Sequence, residues 1–498
     1  MTIYRQIYNK IIEEIRTGKL KPGQKILSIR KFADENGISC NSVQNAYNQL
    51  LEEGYIYSRE KSGFYVADFE ENLVHLELKD NSAFLENNQN IPRNQNVSGN
   101  HIYSANPNVS GKLNLSANLT DSSLFPYDTL RRLYRKVLST SNESILGQNG
   151  DFCGDLEFRK SIADYLYNHR GINCSPEQII IGSGTASLMS QLIRLFKFSE
   201  ETTPVFLIEN PCYEKTKRII QDEGCNLISL PIDENGATVP ELTQKTLTPH
   251  NLPATQNKGK STTENDLHLE QPSSAFQNES QTTILLITPS HQFPLGITMP
   301  VTRRTALVKW ANQDANRYII EDDYDSEFRY KGHPIPALQS MDTNGRVIYI
   351  GTFSRTLTPS MRINYAVLPQ KLALLYKKRF NYYSCPVPRI EQQVLSLFIN
   401  GGYFERHINR SKKIYKARRD LMISELEKNI PGCKLYGTQA GLHFIMQVKD
   451  EKTFIKKAAE NNLILQGTGK GSVIIGYAHL KDEEIKLAAK KFVFLTNM

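Results

Sequence analysis

Two hydroxyl residues and two arginines lie close together in the segment YIGTFSRTLTPSMRINYAVL, residues 349–368. Thr352 and Ser354 come first, Arg355 follows directly, and Arg362 lies further along the same segment. The apolar residues on either side predict a loop between two buried strands. A guanidinium is a fixed cation that suits a phosphate dianion, and hydroxyl groups can bond the same oxygens. The loop is therefore a candidate anion-binding site.

A second candidate for anion binding is the segment IIIGSGTASLM, in which an apolar run leads through a glycine turn into a helical pattern. Ser183, Gly184 and Thr185 form the turn. Backbone amides at the start of a helix face outwards at its positive end, where they bind anions. A turn of this kind is weak evidence on its own, so it gains weight only beside the arginine loop.

A third candidate is the acidic end of the apolar run RYIIEDD, which continues as YDSEFRY. In open α/β sheets, ligands bind beyond the carboxyl ends of the strands. Asp322 could form an ion pair with a ring nitrogen of a ligand or could simply cap a loop. Tyr324 could donate a hydrogen bond to a phenolate oxygen.

The elements that position these residues can be predicted from apolar runs that alternate with amphipathic helical patterns. Continuous apolar runs indicate strands that are covered on both faces, as in a mostly parallel sheet of an α/β domain. The runs are QIIIG, PVFLIEN, NLISLPI, TILLITP, RYIIEDD, RVIYIG and NYAVLP. After Asn381 the pattern becomes helical, and the short runs GLHFIMQV and VIIGYA predict a smaller α+β lobe.

The first 68 residues predict a different module, with three helices followed by a hairpin. Ser28 and Ser39 are suitable N-caps for the second and third helices, and Gly37 and Gly54 end them. This order is typical of a winged helix-turn-helix, whose second motif helix lies in the major groove of DNA. The alternative is a small helical interaction module. The candidate DNA contacts are Ser28, Arg30, Ser39, Asn41, Ser42, Gln44, Lys61 and Gly63.

Composition divides the chain into a DNA-binding domain at 1–68, an asparagine- and serine-rich linker at 69–120 and a large domain at 121–498. Too few apolar residues occur in the linker to form a core. A polar stretch at 244–283 predicts a disordered surface insertion, and the smaller lobe is expected at about 385–498.

The bulk composition excludes several classes of protein. A chain of 498 residues with 39% hydrophobic and 22% charged residues is typical of a soluble globular protein with more than one core. No apolar run reaches the roughly 18 residues of a membrane span, and the N-terminus does not resemble a signal peptide. Seven scattered cysteines without a CxxC pair argue against disulfides and a zinc site. We therefore expect a cytoplasmic protein without a metal centre.

The N-terminal segment LKPGQKILSIRKFADENGISCNSVQNAYNQLLEEGYIYSREKSGFYV resembles the winged-helix domain of GntR-type bacterial regulators along its whole length. The resemblance implies binding to operator DNA. One position departs from the pattern: the family usually has arginine after the serine that starts the recognition helix, and Cys40 occupies that position here.

The large domain resembles fold-type I aminotransferases, which use pyridoxal 5'-phosphate (PLP), and the whole chain is similar to the MocR subfamily of GntR regulators. Segments such as GDLEFRKSIADYLYNHRGI, ENPCYEK, TPSHQFPLGITMP and EDDYDSEFRY occur in the order of that family. The resemblance implies a phosphate cradle, a stacking ring, a partner for the ring nitrogen and one for the phenolic oxygen. The phosphate cradle would consist of Ser183, Gly184, Thr185, Thr352 and Arg362. Tyr213 would stack on the ring, Asp322 would pair with the ring nitrogen, and Tyr324 would bond the phenolic oxygen.

The position of the family's Schiff-base lysine, in the pattern SFSK, is occupied by Arg355 in TFSR. A Schiff base requires a neutral amine, and a guanidinium stays protonated because its pKa lies above about 12. We therefore expect no internal aldimine, and PLP, if it binds, to be held noncovalently. The substrate-carboxylate arginine is also absent near Ile474, although Lys470 could replace it.

Two interpretations of Arg355 remain open. It could retain an anionic ligand such as PLP, or it could bridge to Asp322 and close an empty site, which would leave a dimerisation scaffold. The sequence predicts a homodimeric, DNA-binding transcription regulator that senses a small ligand. This regulator would have no catalytic residue. The alternatives are a PLP-dependent aminotransferase with a DNA-binding appendage and a decayed protein with neither function.

Overall fold

The structure is a computed structural model. It describes residues 3–52, 55–59, 62–67, 112–117, 119–139, 147–200, 203–240, 281–330 and 335–496. Among these helices, none is both long and apolar enough to cross a membrane.

The N-terminal module contains three helices and a two-stranded wing. They are α1 (Ile3–Arg16), α2 (Ile29–Asn36), α3 (Cys40–Glu52), β1 (Ile56–Arg59) and β2 (Gly63–Val66). The Ser28 side chain accepts a hydrogen bond from the Lys31 amide, and Gly37 ends α2 in the left-handed conformation. Ser39 caps α3 by accepting from the Ser42 amide at 3.2 Å. The helix-turn-helix prediction is confirmed, and local capping chemistry explains where α2 and α3 begin.

The large domain is built on a twisted sheet of eight strands within the described residues, in the order β4, β11, β10, β9, β8, β5, β6, β7. Neighbours from β10 to β6 run parallel, whereas β11 is antiparallel to β10 and β4. All seven predicted apolar runs form strands of this sheet. The strands are β4 (Ile179–Gly182), β5 (Val205–Asn210), β6 (Asn226–Asp233), β7 (Gly236–Ala237), β8 (Thr283–Ile287), β9 (Arg317–Asp323), β10 (Val347–Thr352) and β11 (Asn364–Val367).

Helices cover the sheet, and their apolar sides form the core with the buried strands. They are α4 (Tyr127–Ser139), α5 (Leu156–Arg170), α6 (Thr185–Glu200), α7 (Glu214–Asp222), α8 (Val301–Asn312) and α9 (Gln370–Phe380). A strand that is apolar along its whole length must be covered on both faces of the sheet, and the helices provide that cover.

The C-terminal lobe contains helices around a smaller antiparallel sheet, as the short apolar runs predicted. Its elements are α10 (Arg389–Asn400), α11 (Tyr403–Asn429), β12 (Leu435–Tyr436), β13 (His443–Gln447), α12 (Glu451–Glu460), β14 (Leu463–Ile464), β15 (Gln466–Gly467), β16 (Ser472–Gly476) and α13 (Asp482–Thr496). The sheet order is β12, β13, β16, β15.

Two predicted segment boundaries are wrong. The end of the proposed linker at 69–120 belongs to the large domain, because β3 (Leu113–Asn114) pairs in parallel with β14. Leu115 and Ala117 are almost completely buried there. The proposed insertion at 244–283 also extends too far, since Thr283 begins β8. The remainder of both segments, apart from 112, 119–120 and 281–282, lies outside the described residues.

Candidate ligand site and nucleic-acid interface

The pairing of β9 with β10 brings the acidic strand end beside the arginine loop. These strands are parallel, and Asp322 lies opposite Ile350, so that Thr352 emerges at the same edge of the sheet. The loop after β10 then borders a cavity of about 140 Å³. The position agrees with the rule that ligands bind beyond the carboxyl ends of parallel strands.

Seven of the nine predicted cofactor-binding residues line this one cavity: Thr185, Tyr213, Asp322, Tyr324, Thr352, Arg355 and Arg362. Ser183 and Gly184 do not contribute to its lining, although they precede α6 directly. Gly184 nevertheless lies against the cavity, because a Cβ built on it would overlap the Arg362 guanidinium. Its φ of +107° is also a conformation that glycine adopts readily.

The end of the cavity near α6 has the donors that a phosphate needs. The Arg362 guanidinium occupies the space that the missing Gly184 side chain leaves open. The Ser354 hydroxyl oxygen is buried and has no hydrogen-bond partner within the described residues, while the Ser354 amide donates to Thr352 Oγ1 at 3.0 Å. Thr185 is fixed by Asn364, whose Nδ2 donates to Thr185 Oγ1 at 3.0 Å. A buried hydroxyl without a partner and a guanidinium that line the same cavity fit a bound phosphate group.

The lining of the cavity also includes the acid Asp322 and the aromatic rings of Tyr213 and Phe293. Burial, together with the nearby Asp323, raises the pKa of Asp322 to about 7, although Arg355 opposes that rise. The carboxyl can therefore be either protonated or ionised near neutral pH. The Tyr213 ring meets the Phe293 ring edge-on, with centroids 5.4 Å apart.

The Tyr324 hydroxyl is held by His291, which lies in the segment TPSHQFPLGITMP but was not predicted as a site residue. It donates to the His291 carbonyl at 2.7 Å and lies 3.0 Å from His291 Nδ1. His291 is itself buried and lies 3.0 Å from a carboxylate oxygen of Asp325. These contacts fix the position of the phenol at the wall of the cavity.

Arg355 extends to the segment that was predicted to be linker. Its Nη1 donates to the Ala117 carbonyl at 2.7 Å, and its guanidinium carbon lies 5.8 Å from the centre of the Tyr324 ring. The positive charge also favours the ionised form of Asp322. Although Arg355 and Asp322 interact electrostatically, an open cavity remains between the residues that line it. This geometry favours the ligand-retaining interpretation over the closed, empty site.

Several residues at the site were missed or misjudged. Lys215, Asn364 and Phe293 line the cavity, but their roles depend on contacts that no local motif encodes. Lys470 is not among the lining residues, because its ammonium donates to the Asn210 carbonyl at 2.9 Å. Ile474 packs in a small apolar cluster with Ala117 and Ile445. The three missed residues all lie in segments quoted above, and Lys215 follows the predicted ring-stacking residue Tyr213 by two positions.

The candidate nucleic-acid interface is a groove of about 430 Å³ between α2, α3 and the wing. Four predicted DNA contacts line it, and Cys40 lies among them at the start of α3. The lining residues are Ser28, Ile29, Arg30, Cys40, Asn41, Gln44 and Phe64.

The other predicted DNA contacts have different positions. The Ser39 and Ser42 hydroxyls bond each other at 2.9 Å at the start of α3, so they serve as a cap. Gly63 lies in the wing with a φ of +113°. The prediction for Lys61 falls outside the described residues.

Comparison with known proteins gives two family matches. Residues 110–492 match the family "Aminotransferase class I and II", and residues 3–66 match "Bacterial regulatory proteins, gntR family". The "Uncharacterized HTH-type transcriptional regulator YdeL" of Bacillus subtilis is 30% identical, covering 98% of this chain and 96% of that protein. The "Probable rhizopine catabolism regulatory protein MocR" of Rhizobium meliloti is 28% identical, covering 86% and 78%.

Among solved structures, the kynurenine aminotransferase of Pyrococcus horikoshii superposes with a TM-score of 0.65 at 22% identity, covering 78% of this chain and 91% of that one. This likeness shows the fold-type I aminotransferase fold alone. The two family matches and the relatives together define a regulator with a DNA-binding domain fused to an aminotransferase-like domain. The chain belongs to the MocR subfamily of GntR-type transcription regulators.

Proposed function

We propose that this transcription regulator binds operator DNA as a homodimer and senses a phosphorylated ring compound, PLP or a close relative, held without a covalent bond. The observation that carries the proposal is the cavity itself. It retains the phosphate-binding, ring-stacking and ring-nitrogen residues, while Arg355 occupies the lysine position and is hydrogen-bonded to Ala117.

The residues divide the work of ligand binding by their chemistry. Arg362, Ser354 and Thr352 bind the phosphate, because a guanidinium and two hydroxyls supply charge and hydrogen bonds at one end of the cavity. Tyr213 packs on the ring, and Asp322 shares a proton with the ring nitrogen because its pKa lies at about 7. Bound PLP supplies an electrophilic aldehyde and an electron sink in enzymes of this fold.

Arg355 removes the covalent part of that chemistry. Its guanidinium remains protonated, so it cannot attack an aldehyde or carry the proton that amino-group transfer moves between carbon atoms. The remaining interactions can bind and orient a ligand. Occupancy of the cavity would then be the signal that the DNA-binding domains receive.

Calorimetric titration of the purified full chain with PLP tests the ligand. We expect saturable binding, and we expect no PLP adduct by mass spectrometry after borohydride reduction. Gly184→Ala should abolish binding, because the added methyl group displaces Arg362. Gly224→Ala is the control, since Gly224 has a φ of +71° and open space around it. Unchanged binding by Gly184→Ala would contradict the placement of the phosphate.

Fluorescence anisotropy with the DNA upstream of the chain's own gene tests the operator. We expect tight, salt-sensitive binding that Arg30→Ala weakens, because Arg30 is exposed in the groove. Arg131→Ala is the control, as Arg131 is an exposed arginine on α4 that does not line this groove. Turnover of an amino acid in the presence of PLP would instead favour an aminotransferase with a DNA-binding appendage.

A further inference from the structure

The exposed face of α3 consists of carboxamide side chains. Asn41, Gln44, Asn45 and Asn48 are all exposed, and their spacing of three, four and seven residues places them on one side of the helix. The opposite side of α3 is apolar and packs into the core of the module through Val43, Ala46, Tyr47 and Leu50. The four amides therefore form a strip along one side of the helix, which we call the amide strip. Asn41 and Gln44 line the groove, and Asn45 and Asn48 continue the strip towards the C-terminal end of the helix.

The amide strip lacks the side chains that read guanine and cytosine. From Cys40 to Leu51, α3 contains no arginine, lysine, aspartate or glutamate. Arginine and lysine bind the two acceptors of guanine, and carboxylates accept from the amino group of cytosine. Cys40 lines the groove where the family usually has an arginine, so this helix has lost one cationic contact at its start.

Adenine presents an acceptor, N7, beside a donor, the N6 amino group, and a carboxamide is the side chain that matches both. The Gln44 Nε2 donates to Asn48 Oδ1 at 2.8 Å, so the two amides are already hydrogen-bonded to each other. The Gln44 oxygen then remains to accept and the Asn48 nitrogen to donate. This pair of groups complements adenine and opposes the two adjacent acceptors of guanine.

We propose that the amide strip makes this regulator selective for operator half-sites with consecutive A·T base pairs in the major groove. Asn41 and Asn45 read adenine edges, and the Gln44–Asn48 pair reads a further one. Arg30 on α2 supplies the contact that can bind a phosphate or a flanking guanine. The inference rests on the proposed DNA-binding function and specifies which DNA the groove binds.

The test is selection of duplexes from a randomised library by the full chain, followed by sequencing of the retained DNA. The expected result is a consensus in which each half-site contains at least two adjacent A·T pairs. A consensus with G·C pairs throughout, or retention of DNA without sequence preference, would overturn the inference and leave DNA binding intact. Failure to retain any DNA would overturn both this inference and the proposed function.

Variants assign the preference to the amide strip. For Asn45→Ala and Asn48→Ala, the ratio of affinities for the selected duplex and a shuffled duplex should fall by about 5- to 100-fold, the range for loss of one bidentate contact. Affinity for the shuffled duplex should not change, since neither residue carries charge. Asn9→Ala, an exposed asparagine on α1 outside the groove, should keep the wild-type ratio. An unchanged ratio in both strip variants would refute the assignment.

Discussion

A single side chain at position 355 determines which chemistry is available to the cavity. The surrounding residues are those that we propose bind PLP, whereas Arg355 donates to the Ala117 carbonyl and presents no amine. Lysine can lose its proton when buried, whereas arginine cannot. At the scale of one residue, this distinction separates a binding site from a catalytic one.

The first prediction concerns this substitution. Arg355→Lys should form a covalent adduct with added PLP, because the rest of the cavity already positions the phosphate and ring. The readouts are a new visible absorption band and, after borohydride reduction, a peptide mass that places the adduct on residue 355. Arg362→Lys is the matched control, since it adds a lysine to the same cavity at the phosphate end and should give no adduct. An unmodified Arg355→Lys protein would contradict the proposed orientation of the ligand.

A second residue-scale prediction concerns Glu209. This buried carboxylate accepts from the Thr288 amide and hydroxyl, but burial is the larger effect and raises its pKa from 4.5 to about 7. In the unfolded chain the Glu209 carboxyl has its ordinary pKa of 4.5, so it ionises at a lower pH than in the folded protein. The stability that this group contributes is therefore fully present below about pH 4.5 and is lost as the pH rises to about 7.

Glu209→Gln should flatten that dependence. The decrease in the free energy of unfolding between about pH 5 and 7 should become smaller, by at most about 1.4 kcal/mol per pH unit. Urea denaturation at several pH values measures the slope. Glu214→Gln, a change to an exposed glutamate on α7, should retain the wild-type slope. Equal slopes for Glu209→Gln and the wild type would show that Glu209 ionises normally.

At the scale of elements, the short strand β3 connects the N-terminal side of the large domain to both its core and its site. β3 pairs with β14 in the C-terminal lobe, Leu115 is buried just after it, and Ala117 receives the Arg355 hydrogen bond. Polar composition predicted linker across this region, because the stretch from Leu113 to Ala117 is too short to produce a periodic pattern. Their position is determined by packing against distant elements.

The third prediction tests this assignment. Leu115→Ala should lower the free energy of unfolding of the large domain by about 2–5 kcal/mol, the usual cost of truncating a fully buried leucine. Chemical denaturation followed by circular dichroism gives the value. Leu374→Ala is the control, because Leu374 is 64% exposed on α9 and its loss should be nearly neutral. Similar, small effects of both changes would mean that this segment is linker after all.

At the scale of the whole molecule, the protein combines a GntR-type DNA-binding domain with an aminotransferase-like domain, which we propose binds a ligand. A dimer of the large domain would present two winged helices to one duplex, and dimers bind half-sites that are separated by whole turns of the helix. The predicted linker would allow some variation in that spacing.

The fourth prediction follows from this arrangement. Once a two-half-site operator is known, inserting five base pairs between the half-sites should weaken binding more than inserting ten, because a half turn places the second half-site on the opposite face of the DNA. Anisotropy with the three duplexes measures the difference. Equal affinities would indicate that each winged helix binds independently, and a single half-site duplex serves as the reference for that case.

The sequence by itself determined the class of fold, the two kinds of domain and the residue types of the site. Those features depend on local information: apolar runs form strands, Ser28 and Ser39 cap helices, and the fixed charge of Arg355 follows from its identity. Seven of the nine predicted residues line one cavity because motifs at strand ends converge in a parallel sheet.

Only the tertiary structure decided the partners of those residues. Arg355 contacts Ala117 across 238 positions of the sequence, and Asn364 contacts Thr185 across 179. Such contacts depend on how strands pair and lobes pack, which no local pattern encodes. The same is true of the cavity that Arg355 and Asp322 both line, since whether residues distant in sequence border one cavity depends on the positions of their strands and loops.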